Sequence, residues 1–355
     1  MIKKRVLVAM SGGVDSAVCA YLVKENGHDA EGITMRLWAH GEEIHDDRIT
    51  HPDKNCFDAK LICDRLDISH KSTALGDSFK KKVVDKFICD YICGLTPNPC
   101  VECNKHIKFG TLMDMALEGG FDYLATGHYA RIEQIGDEFF IKKAFDEKKD
   151  QTYFLWSIDK KYLPHILFPL GNMTKDEIRN IARENKFESA DRTDSQDICF
   201  IEDGDYAKFI LNQTNKSFPS GNFISLDGRI LGQHTGIINY TVGQRKGLGI
   251  SLGRPIFVAK KDTANNTVTL CDNHELFSTS LTASSINILV NKSLDTPTRL
   301  AAKIRYRHTP ALSTVQILPD GRLKVDFDEP QRAITPGQSV VLYDGDILVG
   351  GGIIE

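Results

Sequence analysis

The stretch Arg5-Val6-Leu7-Val8-Ala9-Met10-Ser11-Gly12-Gly13-Val14-Asp15-Ser16 decides how the first half of the chain reads. Its apolar run, Arg5 to Met10, is short and bounded by a turn signal, and predicts a buried strand. Val14 to Asn26 has helical periodicity and stops at Gly27, a residue that tolerates the left-handed conformation ending many helices. Between them, Ser11-Gly12-Gly13 leaves room only for a tight turn. Strand, glycine turn and helix together present unpaired amides and a positive dipole end to an anion. The Ser hydroxyls add donors, and Asp15 is placed to position a Mg²⁺ carried by a nucleotide. The turn has no Lys, so it is not the phosphate loop whose Lys reaches the phosphates. The plain alternative is a glycine turn with a helix cap and no ligand.

Outward from this turn the pattern repeats. Ala30 to Leu37 and Phe121 to Thr126 predict further strands, and Asn55 to Leu66 puts Ala59, Ile62, Cys63 and Leu66 on one helical face. Thr174-Lys175-Asp176-Glu177 is a capping box that opens a helix running to about Asn185. Short apolar runs alternating with amphipathic helices predict a parallel sheet covered on both faces. Beyond about residue 220 the character changes. Asp227-Gly228, Asp320-Gly321 and Asp344-Gly345 are turn signals, and alternating runs such as Leu323 to Phe327 and Val340 to Tyr343 predict small β-barrels or sandwiches. Gly243 to Gly249 reads as a loop.

The 355 residues suggest two or three domains. With 41% hydrophobic and 26% charged residues there is ample material for a core. No run approaches the length of a spanning helix, and the apolar start is too short for a secretory segment, so a cytoplasmic protein without membrane contact is expected. A net charge of −4 argues against a general nucleic-acid coat, yet leaves room for a local basic groove. Lys80-Lys81-Lys82 reads as a solvated helix face.

Nine cysteines, an odd number in a chain without a secretion signal, argue against wholesale disulfide pairing. Thr96-Pro97-Asn98-Pro99 reads as a rigid non-helical loop leading into Cys100-Val101-Glu102-Cys103. Three readings of that C-x-x-C stay open: half of a zinc site with His106 nearby, a buried structural pair, or redox and sulfur chemistry. In the third, Cys103 at a helix N-terminus beside Lys105 and Lys108 has a raised thiolate fraction. Cys199 lies far along the chain, beside Asp194 to Asp197, and alone reads as a core cysteine.

The motif Ser11-Gly12-Gly13-Val14-Asp15-Ser16 resembles that of the PP-loop ATP pyrophosphatases, which split ATP into AMP and pyrophosphate. The chain as a whole resembles their tRNA 2-thiouridylase branch, of the MnmA type. The resemblance runs through Thr96 to Pro99 with Cys103-Asn104-Lys105, Ala125 to Tyr129, Lys149 to Leu155, Asp194 to Ile201, Tyr240 to Gly249, Arg305-Tyr306-Arg307 and Pro336-Gly337-Gln338. It implies an α/β, doubly wound parallel-sheet catalytic domain at 1–204, a small central tRNA-contacting domain at 205–275 and a C-terminal β-barrel domain at 276–355.

It further implies ATP-dependent adenylation of the wobble uridine C2 oxygen and sulfur transfer to give 2-thiouridine. Ala9, Met10, Ser11, Gly12, Gly13, Val14, Asp15 and Ser16, with Met35 and Gly127, would hold ATP with its Mg²⁺, and no resident metal is expected. Cys199 would carry the persulfide and Cys103 would be the second catalytic thiol, the two closing a disulfide that a thiol reductant reopens. Asn98, Pro99 and Cys100 would border the target base. His128, Lys149, Asp150, Gln151, Arg305, Tyr306 and Gln338 would touch the tRNA. The implied partners are lysine, glutamate and glutamine tRNAs and a sulfur-donor protein, either a cysteine desulfurase or a relay carrier. One departure stands out. Many relatives have Asp where this chain has Cys100, and a thiol is no clean substitute for a carboxylate. Two other readings compete: a PP-loop ligase using ammonia or an amine, which needs neither thiol, and a non-catalytic RNA-binding protein with a structural zinc.

Overall fold

A computed structural model describes residues 3–37, 54–192, 198–201, 204–214 and 216–355. The chain divides into two compact units, one of residues 1–84, 100–196 and 344–349, the other of residues 85–99, 197–343 and 350–355. The segment at 38–53 and the Asp194 to Asp197 part of the motif before Cys199 lie outside the described residues.

The first unit is built on β1 (Arg5–Ala9), where Val6, Leu7 and Val8 are almost completely buried. Each such side chain contributes about 1.5–3 kcal/mol by leaving water. A run buried on both faces suits the middle of a parallel sheet, and β1 pairs in parallel with β2 (Asp29–Arg36) on one side and β4 (Tyr123–Ala125) on the other. The polar edge strand β3 (Ser69–Ala74) and the two-residue β7 (Ile166–Leu167) complete the order β3-β2-β1-β4-β7. The order reverses direction at β1, and open sheets of this kind bind ligands beyond the carboxyl ends of the strands at such a reversal. The loops after β1 and β4 are therefore the ones that build a site.

Helix α1 (Val14–Glu25) starts one residue after the predicted turn and buries Val14, Ala17, Val18, Cys19, Ala20 and Val23. Helix α2 (Lys54–Arg65) buries Ala59, Ile62 and Cys63, with Leu66 just beyond it, the face expected from the spacing. After the short α3 (Gly76–Phe79), the predicted lysine face is a π-helical turn, Lys80–Val84, with Lys81 and Lys82 exposed. A hairpin that the periodicity did not single out, β5 (Ala130–Ile135) with β6 (Glu138–Lys143), follows β4.

In the second unit, α4 (Asp85–Ile92) leads to the loop at 95–98. The proline-rich segment departs from expectation at its end. Pro99 is not loop but the first residue of α5 (Pro99–Cys103), in the first turn, where a missing N–H breaks no helical hydrogen bond. Helix α6 (Met113–Glu118) and the box-capped α7 (Lys175–Glu184) belong to the first unit, and α8 (Tyr206–Gln213) to the second. The central part of the second unit is a four-stranded sheet, β10 (Phe257–Asp262), β11 (Thr267–Cys271), β8 (Gly221–Ile224) and β9 (Ile230–His234), around Phe223, Val258 and Val268. Six antiparallel strands then close on themselves in the order β12 (Phe277–Ile288), β15 (Leu323–Arg332), β14 (Ala311–Ile317), β13 (Thr298–Lys303), β16 (Ser339–Asp344) and β17 (Ile347–Ile354), with β17 returning to β12. Closure removes the exposed edges that an open sheet of this length would leave.

Candidate active site

The turn Ser11–Ser16 joins β1 to α1 as the sequence predicts, and its detail explains each residue type. Gly12 has φ +74°, a conformation that side chains resist, and a Cβ there would stand 2.8 Å from the Asn55 carbonyl oxygen. Gly13 caps α1 with no side-chain hydrogen bond, so the amides of the first turn are left for an anion. Ser16 Oγ accepts from the Ser11 amide at 3.2 Å and donates to the Gly13 carbonyl at 3.0 Å, which fixes the loop's shape. Met10 is buried and its amide donates to the Ile33 carbonyl, and Met35 is half-buried on β2. Gly127, after β4, is needed for a different reason. A Cβ there would stand 2.9 Å from the Asp15 carbonyl carbon, so only glycine lets this loop approach α1 so closely.

Asp15 is not the open carboxylate that the motif suggested. Lys175 Nζ reaches its two oxygens at 2.8 and 3.0 Å, and Tyr129 donates its hydroxyl at 2.7 Å. Lys175, only 6% exposed, is the first residue of α7 and comes 160 positions later in sequence. A cation at a helix N-terminus opposes the helix dipole. That misplacement is the one sequence signal of its role. The turn thus has a lysine after all, supplied by a distant segment. A single carboxylate still fits Mg²⁺, which takes one or two carboxylates together with substrate phosphates and waters. Asp15 would hold it, and its charge would offset that of the phosphates.

Around the cysteine motif the structure revises the expected electrostatics. Cys103 is the last residue of α5, with helical φ −62° and ψ −46°, and the chain continues as a π-helix, Asn104–Leu112. It is half-buried and lies in the second turn rather than at the amide end. Cys100 occupies the first turn instead. Burial pushes its thiol up, partly offset by the Lys108 charge, although one side of the residue is open to solvent. Glu102 and His106 pair across one turn at 3.4 Å, which ties up the imidazole that a zinc reading would use. Among the described residues there is no group of three or more His, Cys, Asp or Glu that could hold a metal ion. Asn104 is buried and donates to the Phe154 carbonyl at 2.9 Å, fixing the turn after Cys103.

His128 is 8% exposed and packed among Phe109 and Phe168. Lys108 Nζ stands 3.4 Å from Nε2, and Thr126 Oγ1 2.7 Å from Nδ1. An ammonium only donates, so Nε2 accepts and Nδ1 carries the proton toward Thr126. Burial, and secondly Lys108, hold the imidazole well below its usual pKa. Asp150 is also internal, accepting from the Ala144 amide at 3.0 Å and the Thr152 hydroxyl at 2.7 Å. Gln151 Oε1 accepts from the Tyr129 amide at 3.0 Å, and the Lys149 amide closes a turn onto Asp146. Of these three, Gln151 holds the segment that carries Tyr129 to Asp15, its own amide also donating to the Tyr129 carbonyl at 2.9 Å.

In the second unit, the Asn98 loop is braced by the turn at Pro336 to Gln338. The Thr96 amide donates to the Pro336 carbonyl at 2.9 Å, and Gln338 Nε2 donates to the Thr96 carbonyl at 2.8 Å. Arg305 donates to the carbonyls of Arg332 and Ala333, and Tyr306 has Lys303 over its ring. Cys199 is exposed, next to Phe200, which is buried edge-on against Phe87. All nine cysteines are unbridged. Cys103 and Cys199 belong to different units.

A nucleotide-type loop, a paired aspartate, and thiols carried on two units narrow the reading, and comparison with known proteins completes it. Residues 4–203 match the tRNA methyl transferase HUP domain, 207–272 the tRNA methyl transferase PRC-barrel domain, and 278–354 the aminomethyltransferase beta-barrel domain. The tRNA-specific 2-thiouridylase MnmA of Clostridium botulinum (strain Alaska E43 / Type E3) is 48% identical over 361 residues, covering 100% of this chain and 99% of its own. Those of Clostridioides difficile and Acetivibrio thermocellus are each 45% identical, covering all of this chain and 99% and 100% of theirs. The chain belongs to the tRNA-specific 2-thiouridylase MnmA family. Among solved structures, it is similar to a 4-thiouridine synthetase–RNA complex with bound ATP, with a TM-score of 0.37 and 15% identity over 60% of this chain and 50% of that one. Among the described residues of this MnmA-family chain, no helix is long and apolar enough to cross a membrane.

Proposed function

We propose that this protein is an ATP-dependent tRNA-uridine 2-sulfurtransferase acting in the cytoplasm on the wobble uridine of lysine, glutamate and glutamine tRNAs. The observation that carries the reading is the uncapped Ser11–Ser16 turn at the strand-order reversal, in a chain alike over its whole length to MnmA-family members. The domains are proposed as 1–204 for catalysis, 205–275 and 276–355 for gripping tRNA.

The Ser11–Ser16 amides bind the phosphates of ATP, with Met35 and Gly127 shaping the pocket. The target uridine leaves its stack, which a single-stranded anticodon loop permits at low cost. Its C2 oxygen attacks the α-phosphorus of ATP and pyrophosphate departs, making a poor leaving group into AMP. Cys199, loaded as a persulfide by a cysteine desulfurase or relay carrier, attacks C2 through its terminal sulfur. AMP leaves with the former C2 oxygen. The Cys103 thiolate then attacks the Cys199 Sγ, the bond from Sγ to the transferred sulfur breaks, and 2-thiouridine is released. A Cys103–Cys199 disulfide remains, which a thiol reductant reopens. Asn98, Pro99 and Cys100 border the base, and Arg305, Tyr306 and Gln338 support the tRNA.

The test combines the protein, ATP, Mg²⁺, a persulfide source and unthiolated tRNA, and measures pyrophosphate and 2-thiouridine in one tube. Wild type is expected to make both, and Cys103→Ala and Cys199→Ala no 2-thiouridine. Pyrophosphate release without thiolation, unchanged in both variants, would move the function to a ligase.

A further inference from the structure

The outer face of the Gly12 turn is held by residues that neither the motif nor the proposed chemistry uses. Arg192 Nη1 donates to Asp58 Oδ2 at 2.5 Å and lies 3.4 Å from the Gly12 carbonyl oxygen. Lys54 Nζ reaches the same carboxylate at 2.9 Å. Asp58 is 8% exposed, and a Cβ on Gly12 would stand 3.0 Å from the Asp58 Cβ. The Gly12 peptide is therefore packed against α2 on one side and tied by a guanidinium on another. Ser189, almost fully buried and with no hydroxyl partner among the described residues, lines the same small cleft beside Leu61, Ile62 and Phe187.

We propose that Arg192, anchored on Asp58, is a positioning residue for ATP: it fixes the Gly12 carbonyl so that the amides following it point at the phosphates. The inference rests on the reading of Ser11–Ser16 as the ATP site. A carbonyl tied on one face of the turn turns the next N–H to the other, and the ties through Ser16 hold the Ser11 amide and the Gly13 carbonyl but not the Gly12 carbonyl. Hydrogen bonding from Arg192, ahead of that from Lys54 and against burial, holds the Asp58 carboxyl below its usual pKa, which keeps the anchor charged across the working pH range. Arg192 itself stays charged at any pH the protein meets. Both contacts come from the single nitrogen Nη1, so a lysine at 192, which keeps a charged donor, can reproduce them.

The test measures ATP binding by equilibrium dialysis with labelled ATP and Mg²⁺, and steady-state pyrophosphate release with ATP and tRNA varied separately. Arg192→Met and Asp58→Asn are expected to weaken ATP binding and raise its KM about tenfold, the scale of one charge-assisted hydrogen bond, with kcat at saturating ATP and the KM for tRNA within about twofold of wild type. Arg192→Lys is expected to recover most of the affinity, which a merely structural loss would not allow. Unchanged ATP affinity in Arg192→Met, or in Asp58→Asn where the first variant fails to fold, overturns the inference. So does a loss confined to kcat. A wild type that binds ATP but never thiolates tRNA would sink the functional reading and leave this one standing, because the dialysis arm does not depend on tRNA.

Discussion

Lys175 Nζ lies 2.8 Å and 3.0 Å from the two carboxylate oxygens of Asp15. Both ends of this pair sit at the first turn of a helix, α7 for the lysine and α1 for the aspartate. For Asp15 that position is favoured by the dipole and for Lys175 it is opposed. Removing the lysine leaves a partly buried carboxylate held, among the described residues, by the Tyr129 hydroxyl. Lys175→Met is expected to lower stability by about 2 kcal/mol, less than the full cost of breaking a buried pair because Asp15 is a third exposed. It is also expected to abolish tRNA-dependent pyrophosphate release, since the cation the phosphates would meet is gone. Tyr129→Phe should cost only about 1 kcal/mol. Urea unfolding and a pyrophosphate assay check both, and a fully active Lys175→Met would show that the lysine is only a counterion.

Gly127→Ala tests the contact between the two loops at the strand-order reversal. The new methyl carbon would meet backbone atoms of Asp15 at 2.9 and 3.0 Å, and backbone cannot swing aside as a side-chain tip can. The phosphate turn must shift, at a cost of about 1–3 kcal/mol typical of overpacking. ATP binding should weaken more than tRNA binding. Equal ATP affinity in wild type and variant would show that the turn absorbs the methyl elsewhere.

Much of this was legible in the sequence, for reasons that differ by element. Strand β1 and helix α1 were readable because burial on both faces gives an unbroken apolar run, and because Gly12 and Gly13 mark a turn with a mechanical demand. Helix α7 was readable from its Thr174–Glu177 box, which the structure forms in both directions. Strands β3 and β7 were not, the first because SHKSTA is a polar edge, the second because two residues carry no periodicity. The partners of Asp15 escaped notice because nothing in local spacing ties residue 15 to residues 129 and 175. The expectation that Cys103 sits at a helix N-terminus failed by one turn, since Pro99 begins the helix earlier than a proline-rich loop suggests. His128 and Asp150, picked out by resemblance as tRNA contacts, are buried and hydrogen-bonded within the first unit, a fact no motif reveals.

His128 gives a prediction about pH. Its imidazole is neutral in the folded state because burial, and then the Lys108 charge, oppose protonation. The unfolded chain takes up that proton near the ordinary histidine value of 6.5, whereas the folded protein does so only at much lower pH. Below 6.5 the unfolded state binds more protons, so stability falls as the solution is acidified, by up to about 1.4 kcal/mol per pH unit from this one group. His128→Gln removes the titration. Its urea midpoint should be lower than wild type at pH 7.5, where two hydrogen bonds are perturbed, and should decline less between pH 6.5 and 5. Parallel declines in the two proteins would assign the acid sensitivity to other groups.

Cys100 stands where the family resemblance leads one to expect Asp, and the structure says what a thiol can do there. Burial raises its pKa and Lys108 only partly offsets this, so at neutral pH it stays protonated and uncharged. A neutral thiol cannot act as a general base in place of a carboxylate, and its low thiolate fraction makes it a poor nucleophile. If the enzyme works with such a group at this position, the group is dispensable for proton transfer. Cys100→Ser, close in size and equally neutral, is expected to keep most of the thiolation rate, while Cys103→Ser loses it. Iodoacetamide labelling at pH 7.5 should likewise modify Cys100 more slowly than an unperturbed thiol of similar exposure. A loss in Cys100→Ser as deep as that of Cys103→Ser would mean that the sulfur itself takes part, most simply by resolving the disulfide formed on Cys103. Adding a strong dithiol reductant would then restore turnover in the Cys100 variant but not in the Cys103 one.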